Sequence, residues 1–139
     1  MQNKIPIESL PDGSTLATSV WYGRFLFTHY GTLQRAWNGA VLIHHNSKEH
    51  GGAVTTSFHE FTGGTNLATV DTVPQTYGEG WERAERARQD VERGIRWTVT
   101  DNCEDMRSRV LTGHDGSPTR DVFVGAGILG LLVFLAFKL

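Results

Sequence analysis

Cys103 has the clearest capacity for covalent chemistry in this chain, because it is the only cysteine among 139 residues. It follows Asp101 and Asn102, which are both good helix N-caps, and Asp101 and Glu104 have the spacing of a capping box. Either register puts Cys103 in the first turn of a helix, where free N–H groups and the helix dipole stabilise a thiolate. The same N–H groups can bind an oxyanion formed on an attacked acyl carbon. A buried structural cysteine is the alternative, and position alone does not separate the two.

A thiol nucleophile needs a base, and the chain offers six histidines. His29 lies inside an otherwise apolar strand, where a core histidine bound to a backbone carbonyl is the competing interpretation. A hairpin would bring His44 near His29, so that one imidazole orients the other, whereas His45 would point to the opposite face. A zinc site from His44, His50 and His59 fits no compact ligand pattern, so neither a metal nor another cofactor is predicted.

The elements that must position these residues are predicted to form an α+β domain, in which a small antiparallel sheet packs with helices. Segments rich in Thr, Val and aromatic residues predict the strands, and Asn38-Gly39 is a strong hairpin signal between the second and the third. Apolar residues at three-to-four spacing predict a helix with a solvated charged face that ends near Gly94. The predicted strands are 14–22, 25–33, 40–45, one near 55–58, and 95–99, and the predicted helices are 80–94 and 100–111.

Composition narrows the class of protein. The length suits one domain plus an appended segment, since domains typically run to about 100–150 residues. The net charge of −2 argues against a nucleic-acid-binding protein, which usually carries a basic face. A single cysteine excludes an internal disulfide and fits a reducing compartment, and no apolar run follows the N-terminus as a secretory signal would.

The C-terminal segment differs in composition from the rest of the chain. Residues 122–137 include no charged or strongly polar side chain, with Arg120 and Asp121 before them and Lys138 after them. Sixteen residues are fewer than the ~20 usually needed to span a bilayer, yet a helix apolar on every side is hard to bury in so small a domain. We therefore expect a body of residues 1–119 and a C-terminal hydrophobic helix at 120–139 that anchors it to a membrane. A buried core helix is the alternative.

Three stretches in this order carry a resemblance to a known family. Thr28-His29-Tyr30-Gly31, Val41-Leu42-Ile43-His44 and Thr100-Asp101-Asn102-Cys103-Glu104 resemble the motifs of the H-box/NC family. That family includes lecithin:retinol acyltransferase, the PLAAT phospholipase/acyltransferases and the H-box/NC 2A proteins of some picornaviruses. The resemblance implies a circularly permuted papain-like fold of the NlpC/LRAT type, in which histidine precedes cysteine. The overall size, and a stretch at 45–77 without similarity, favour the picornaviral branch.

The resemblance also implies roles for individual residues. Cys103 would be the nucleophile, His29 its general base and His44 the polar third member, while Arg24 would contact an oxyanion or a phosphate. Two departures stand out: Phe27 replaces a tyrosine of the cellular enzymes, and three more residues separate His29 from His44.

Two functions from different classes follow. The first is a membrane-associated thiol phospholipase A/acyltransferase, which acts on membrane phospholipid through an acyl-cysteine intermediate at the cytoplasmic face of host membranes. The alternative is a catalytically inactive family member that serves as a membrane-tethered interaction module for host or viral proteins. A cysteine protease is a third interpretation, because a papain-like site does not reveal its preference for amide or ester. Nucleic acid is not an expected partner.

Overall fold

The computed structural model describes residues 6–98 and 102–114, which form an α+β domain. The described chain begins with a 3₁₀ turn at Ile7–Ser9. The strands are β1 (Thr15–Tyr22), β2 (Phe25–Arg35), β3 (Val41–Ser47), β4 (Gly52–Thr56) and β5 (Thr69–Thr72), and the helices are α1 (Phe58–Phe61), α2 (Tyr77–Glu92) and α3 (Cys103–Thr112).

The strands form one antiparallel sheet in the order β4-β3-β2-β1-β5. Tight turns connect the first three strands because glycine adopts the positive φ that such turns require. Gly23 has φ +62° between β1 and β2, and Gly39 has φ +84° between β2 and β3. The hairpin predicted at Asn38-Gly39 is therefore confirmed.

The two faces of the sheet carry different layers, because side chains alternate along each strand. On one face, β1, β2 and β3 contribute to an apolar cluster with the 3₁₀ turn and α1. This cluster contains Ile7, Leu16, Leu33, Ile43 and Phe61. We call this the α1 face.

The opposite face, which we call the α3 face, packs against α2 and α3. Ala87, Met106 and Val110 form its buried apolar cluster. Ion pairs also hold the helices: the buried Asp90 of α2 accepts from Arg109 of α3 at 2.8 Å.

The predicted α+β class and antiparallel sheet are confirmed, and the first three strands and both long helices lie close to their predicted bounds. The prediction near 55–58 is corrected, since β4 ends at Thr56 and Phe58 begins α1, a helix that was not predicted. The strand β5 was also not predicted. The strand at 95–99 is wrong where described: residues 95–98 form only isolated bridges, one of which joins Arg96 to Gly52.

The predicted membrane anchor at 120–139 lies outside the described residues. Within residues 6–98 and 102–114, no helix combines the length and the apolar character needed to cross a bilayer.

Candidate active site

The first turn of α3 is stabilised by the side chain of the residue that precedes the helix. Asn102 is the N-cap, and its side-chain oxygen accepts from the N–H groups of Glu104 at 2.9 Å and Asp105 at 3.3 Å. The Asp105 carboxylate in turn accepts from the Asn102 N–H at 3.1 Å, which completes a capping box. The box therefore pairs Asn102 with Asp105, rather than Asp101 with Glu104. Cys103 is the first residue of the helix and so lies in its first turn, as predicted.

Cys103 lies under the α3 face of the sheet. Its thiol donates to the Thr28 carbonyl at 3.7 Å, and Tyr30, Thr32 and His44 line the same narrow cavity, which is too small to hold a water molecule. Burial is the strongest influence on the thiol and raises its pKa to about 11, while nearby backbone N–H groups act in the opposite direction. The helix N-terminus is thus outweighed by desolvation, and Cys103 is a neutral thiol at pH 7.

His29 lies on the α1 face, where it is buried. Its Nε2 lies 2.8 Å from Nδ1 of His45, and its ring centroid is 5.2 Å from that of Phe61. His45 Nε2 lies 2.8 Å from the Thr56 hydroxyl, which donates to the Ser57 carbonyl at 3.1 Å. Because the hydroxyl has one proton, it accepts from His45 Nε2–H, and His45 Nδ1 then accepts from His29 Nε2–H. We call this directed chain the His29–His45 relay.

Burial keeps both relay imidazoles neutral. It lowers the pKa of His29 to about 4 and that of His45 to about 3, and in each case neighbouring histidines add a smaller effect in the same direction. Neutral rings are what the relay requires, because a protonated imidazole has no acceptor nitrogen.

His44 lies on the α3 face, opposite the relay. Its Nδ1 is 2.7 Å from the Thr55 hydroxyl and its Nε2 is 2.7 Å from the Gln34 side-chain oxygen. That oxygen is an acceptor, so His44 donates from Nε2 and accepts from Thr55 at Nδ1. Burial lowers the pKa of His44 to about 4, and the positive charge of Arg88 adds to the effect. His44 and Cys103 line one cavity, but no hydrogen bond joins them among the described contacts.

Cys103 and His29 are not brought together, because the sheet lies between them. Side chains at successive positions of β2 point to opposite faces. The next residue, Tyr30, contacts the Arg107 guanidinium of α3 at 5.0 Å from its ring centroid, whereas His29 contacts Phe61 of α1.

The partner of His29 is His45, and the predicted proximity of His44 to His29 is wrong. Strand β3 pairs with β2 so that His44 lies opposite Thr32. Directly paired residues share a face, so His44 shares the face of Thr32 and the following residue shares the face of His29. The order of the motifs along the chain does not specify this register. Two adjacent histidines in one strand, at 44 and 45, do indicate that one of them points to each face of the sheet.

The remaining candidates lie apart from Cys103. Arg24 is exposed in the β1–β2 turn. His50 Nδ1 lies 2.9 Å from the Ser47 hydroxyl, and His59 Nδ1 lies 3.1 Å from the Asn66 side-chain oxygen. Across the part of the chain that the structure describes, no three His, Cys, Asp or Glu side chains are grouped so as to hold a metal ion.

A second cavity, of about 230 Å³, opens on the α1 face beside the relay. Its lining includes His29, His45, His50, Glu60 and Thr62. The described part of the chain therefore separates the relay from the nucleophilic sulfur: the relay borders this cavity, and Cys103 borders the other one. Comparison of the chain with protein-family models, curated proteins and solved structures gives no match.

Proposed function

We propose that this chain is a non-catalytic, membrane-associated member of the H-box/NC family that serves as an interaction module. The observation that supports this most directly is the separation of Cys103 and His29 on opposite faces of the sheet. A cysteine nucleophile is activated by a base within hydrogen-bond reach or by a lowered pKa.

Among the described residues, neither kind of activation is found around Cys103. With a pKa of about 11, about one thiol in ten thousand is ionised at pH 7. The Cys103 proton points to a backbone carbonyl, and both nitrogens of His44 already have partners. His29 gives its Nε2 proton to His45.

The remaining parts of the proposal are supported by the sequence. The H-Y-G and N-C-E stretches favour the family and its permuted papain-like fold, while the overall size and the stretch at 45–77 without similarity favour the picornaviral branch. The uncharged run at 122–137 favours attachment to a membrane, with the domain at the cytoplasmic face and with host or viral proteins as partners.

A specific observation favours a second candidate, the thiol phospholipase A/acyltransferase. Cys103 begins a capped helix and shares its cavity with His44. In this scheme the sulfur gives its proton to His44 Nδ1 and bonds to the acyl carbon, and the ester C–O bond breaks. The leaving alkoxide takes that proton. Water or an amine then attacks the thioester carbon, the C–S bond breaks, and the sulfur takes up the proton that the attacking group loses. The scheme requires the Thr55 hydroxyl to turn away from Nδ1.

One pair of measurements separates the two functions. We expect the full chain and its Cys103→Ala variant to release equal, background amounts of fatty acid from phosphatidylcholine vesicles. Labelling of Cys103 by an acyl-mimicking electrophile should rise only as the pH approaches about 11, far above the ~8.5 of a free cysteine.

Release that disappears in Cys103→Ala would establish the enzyme and overturn the proposal. In that event, His44→Gln and His29→Gln form a matched pair, since loss of activity in one alone identifies the base. Membrane attachment is tested separately by flotation with the same vesicles. The parent should float, and the double variant Leu131→Arg/Val133→Arg, which places charges in the apolar run, should float much less.

A further inference from the structure

The outer end of the β1–β2 hairpin exposes an unusual amount of apolar surface. The exposed fractions are 67 % for Trp21, 64 % for Phe25, 53 % for Leu26 and 43 % for Phe27. We call residues 20–27 the hairpin tip. Isolated exposed apolar residues are ordinary, but a contiguous group usually marks a contact surface.

The hairpin tip projects beyond the rest of the sheet. β1 and β2 pair along their full length to Tyr22 and Phe25. The neighbouring strands stop earlier, because β5 pairs with β1 only as far as Ala17 and β3 pairs with β2 only from Thr32. Residues 18–22 thus extend about 16 Å beyond the last β5 pair, at roughly 3.3 Å per residue.

Both faces of the hairpin tip are apolar. Trp21 and Leu26 are a directly opposed pair and share one face. Phe25 and Phe27 share the other, with ring centroids 6.4 Å apart. A flat protein surface or a groove with one open side would cover only one of these faces, whereas a lipid interface surrounds an inserted ribbon and covers both.

The charge pattern fits a lipid interface as well. Arg24, in the turn, is the only Asp, Glu, Lys or Arg between Asp12 and Arg35. Tryptophan and arginine both suit the boundary between headgroups and acyl chains, where the apolar body is buried and the polar end meets phosphate or water. The chain also carries a second uncharged apolar segment, at 122–137.

We infer that the hairpin tip inserts into the headgroup–acyl boundary of a phospholipid bilayer. Trp21, Phe25 and Leu26 supply the buried apolar surface, and Arg24 contacts a lipid phosphate. Insertion is shallow, because the outward N–H and C=O groups of an isolated two-stranded ribbon find no partner in hydrocarbon. The inference deepens the membrane association in the proposed function and rests on it.

The test uses a fluorescent probe whose emission reports local polarity. In a Cys103→Ser background, Phe25→Cys and Trp37→Cys are each labelled with the same environment-sensitive thiol dye on the full chain. Trp37 is the matched control, because it is 99 % exposed in the turn at the other end of β2. With phosphatidylcholine vesicles, the dye at 25 should shift to shorter wavelength and be quenched by shallow nitroxide lipids, and the dye at 37 should do neither.

A second variant measures the affinity. Replacing Trp21, Phe25 and Leu26 together by serine should weaken vesicle binding by tenfold or more, since burying one such side chain is worth about tenfold. Trp37→Ser should leave binding unchanged. These side chains are exposed, so the unfolding midpoint of each variant should equal that of the parent.

The outcomes distinguish the two claims. Chains that float while the dye at 25 stays in water would overturn the hairpin inference and leave membrane attachment standing. Chains that do not float at all would overturn both. A shift of the dye at 25 without vesicles that grows with protein concentration would mean that a second copy covers the hairpin tip, which also overturns the lipid assignment.

Discussion

On the α1 face of the sheet, two histidines form a directed relay beneath an aromatic ring, whereas on the α3 face a cysteine and a histidine share a cavity without bonding. His29 and His45 are joined at 2.8 Å against Phe61. Cys103 and His44 each use other partners. The difference shows that the parity of a residue along its strand, more than its place in a motif, decides which side chains can react together.

The two faces also differ in what holds them together. The relay lies in the layer of the Ile7–Phe61 apolar cluster, while charged pairs support α3. Arg107 binds both oxygens of the Asp71 carboxylate, and Asp90 binds Arg109. We therefore expect loss of an aromatic ring to act through the α1 face and loss of the helix cap to act on the α3 face. Acid should act on both faces, and most strongly on the α1 face, which holds two of the three buried imidazoles.

Acid should have the largest effect. The pKa values of His29 and His44 are lowered to about 4 and that of His45 to about 3, all below the ~6.5 of an unfolded chain. The unfolded state therefore binds protons first as the pH falls. The free energy of unfolding is at its maximum above about pH 6.5. Below that pH it decreases by about 1.4 kcal/mol per pH unit for each proton that only the unfolded state binds. The two relay histidines alone would remove about 5 kcal/mol by pH 4.5, measured by urea unfolding.

Substitution of single histidines shows which face of the sheet loses stability in acid. His44→Gln removes one titrating group from the α3 face, and His45→Gln removes one from the relay, so each should flatten the pH dependence by about one proton. Equal unfolding free energies at pH 7.5 and pH 4.5 in the parent would show that the buried imidazoles do not govern acid stability. A flattening in His44→Gln alone would reverse the assignment to the α1 face.

Phe61→Ala should have the next largest effect, about 3–5 kcal/mol, because truncating a buried aromatic leaves a cavity. Phe61 is 2 % exposed and packs against both relay rings. The measurement is urea unfolding at pH 7.5, with Trp37→Ala as the exposed control, which should change the free energy by less than about 0.5 kcal/mol. If Phe61→Ala lowers the free energy of unfolding no more than the control does, the hydrogen bonds of the relay, and not the packing of the ring, stabilise this face.

Local sequence signals were sufficient for much of the fold. Alternating strands and the Asn38-Gly39 turn predicted β1 to β3, and three-to-four spacing predicted α2. The short helix α1 was not predicted, because four residues are too few to show a helical period. Its clearest sequence signal is the N-cap Ser57, whose hydroxyl accepts from the Glu60 N–H. The edge strand β5 was not predicted, because its four residues lie among polar neighbours and are too few to show an alternation of apolar and polar side chains.

The site was predictable only where it depended on neighbours in sequence. The capped helix start at Cys103 follows from adjacent residues and was predicted, apart from the choice of N-cap. The pairing of His29 with His45 follows from a register set by side chains across two strands, and a shift by one residue exchanges the faces. The effect of burial on the Cys103 pKa depends on packing between α3 and the sheet, which no local pattern contains.

The smallest expected effect isolates the α3 face. Asn102→Ala removes the N-cap and should lower the free energy of unfolding by about 1 kcal/mol, while Asn102→Asp keeps an acceptor and should lower it less. Fraying of the first turn exposes Cys103, so labelling of the thiol should accelerate in Asn102→Ala at constant pH. The His29–His45 relay lies across the sheet and should keep its imidazole NMR shifts. Shifts that move together with the labelling rate would show that the two faces are coupled, so that the sheet does not isolate the thiol from the relay.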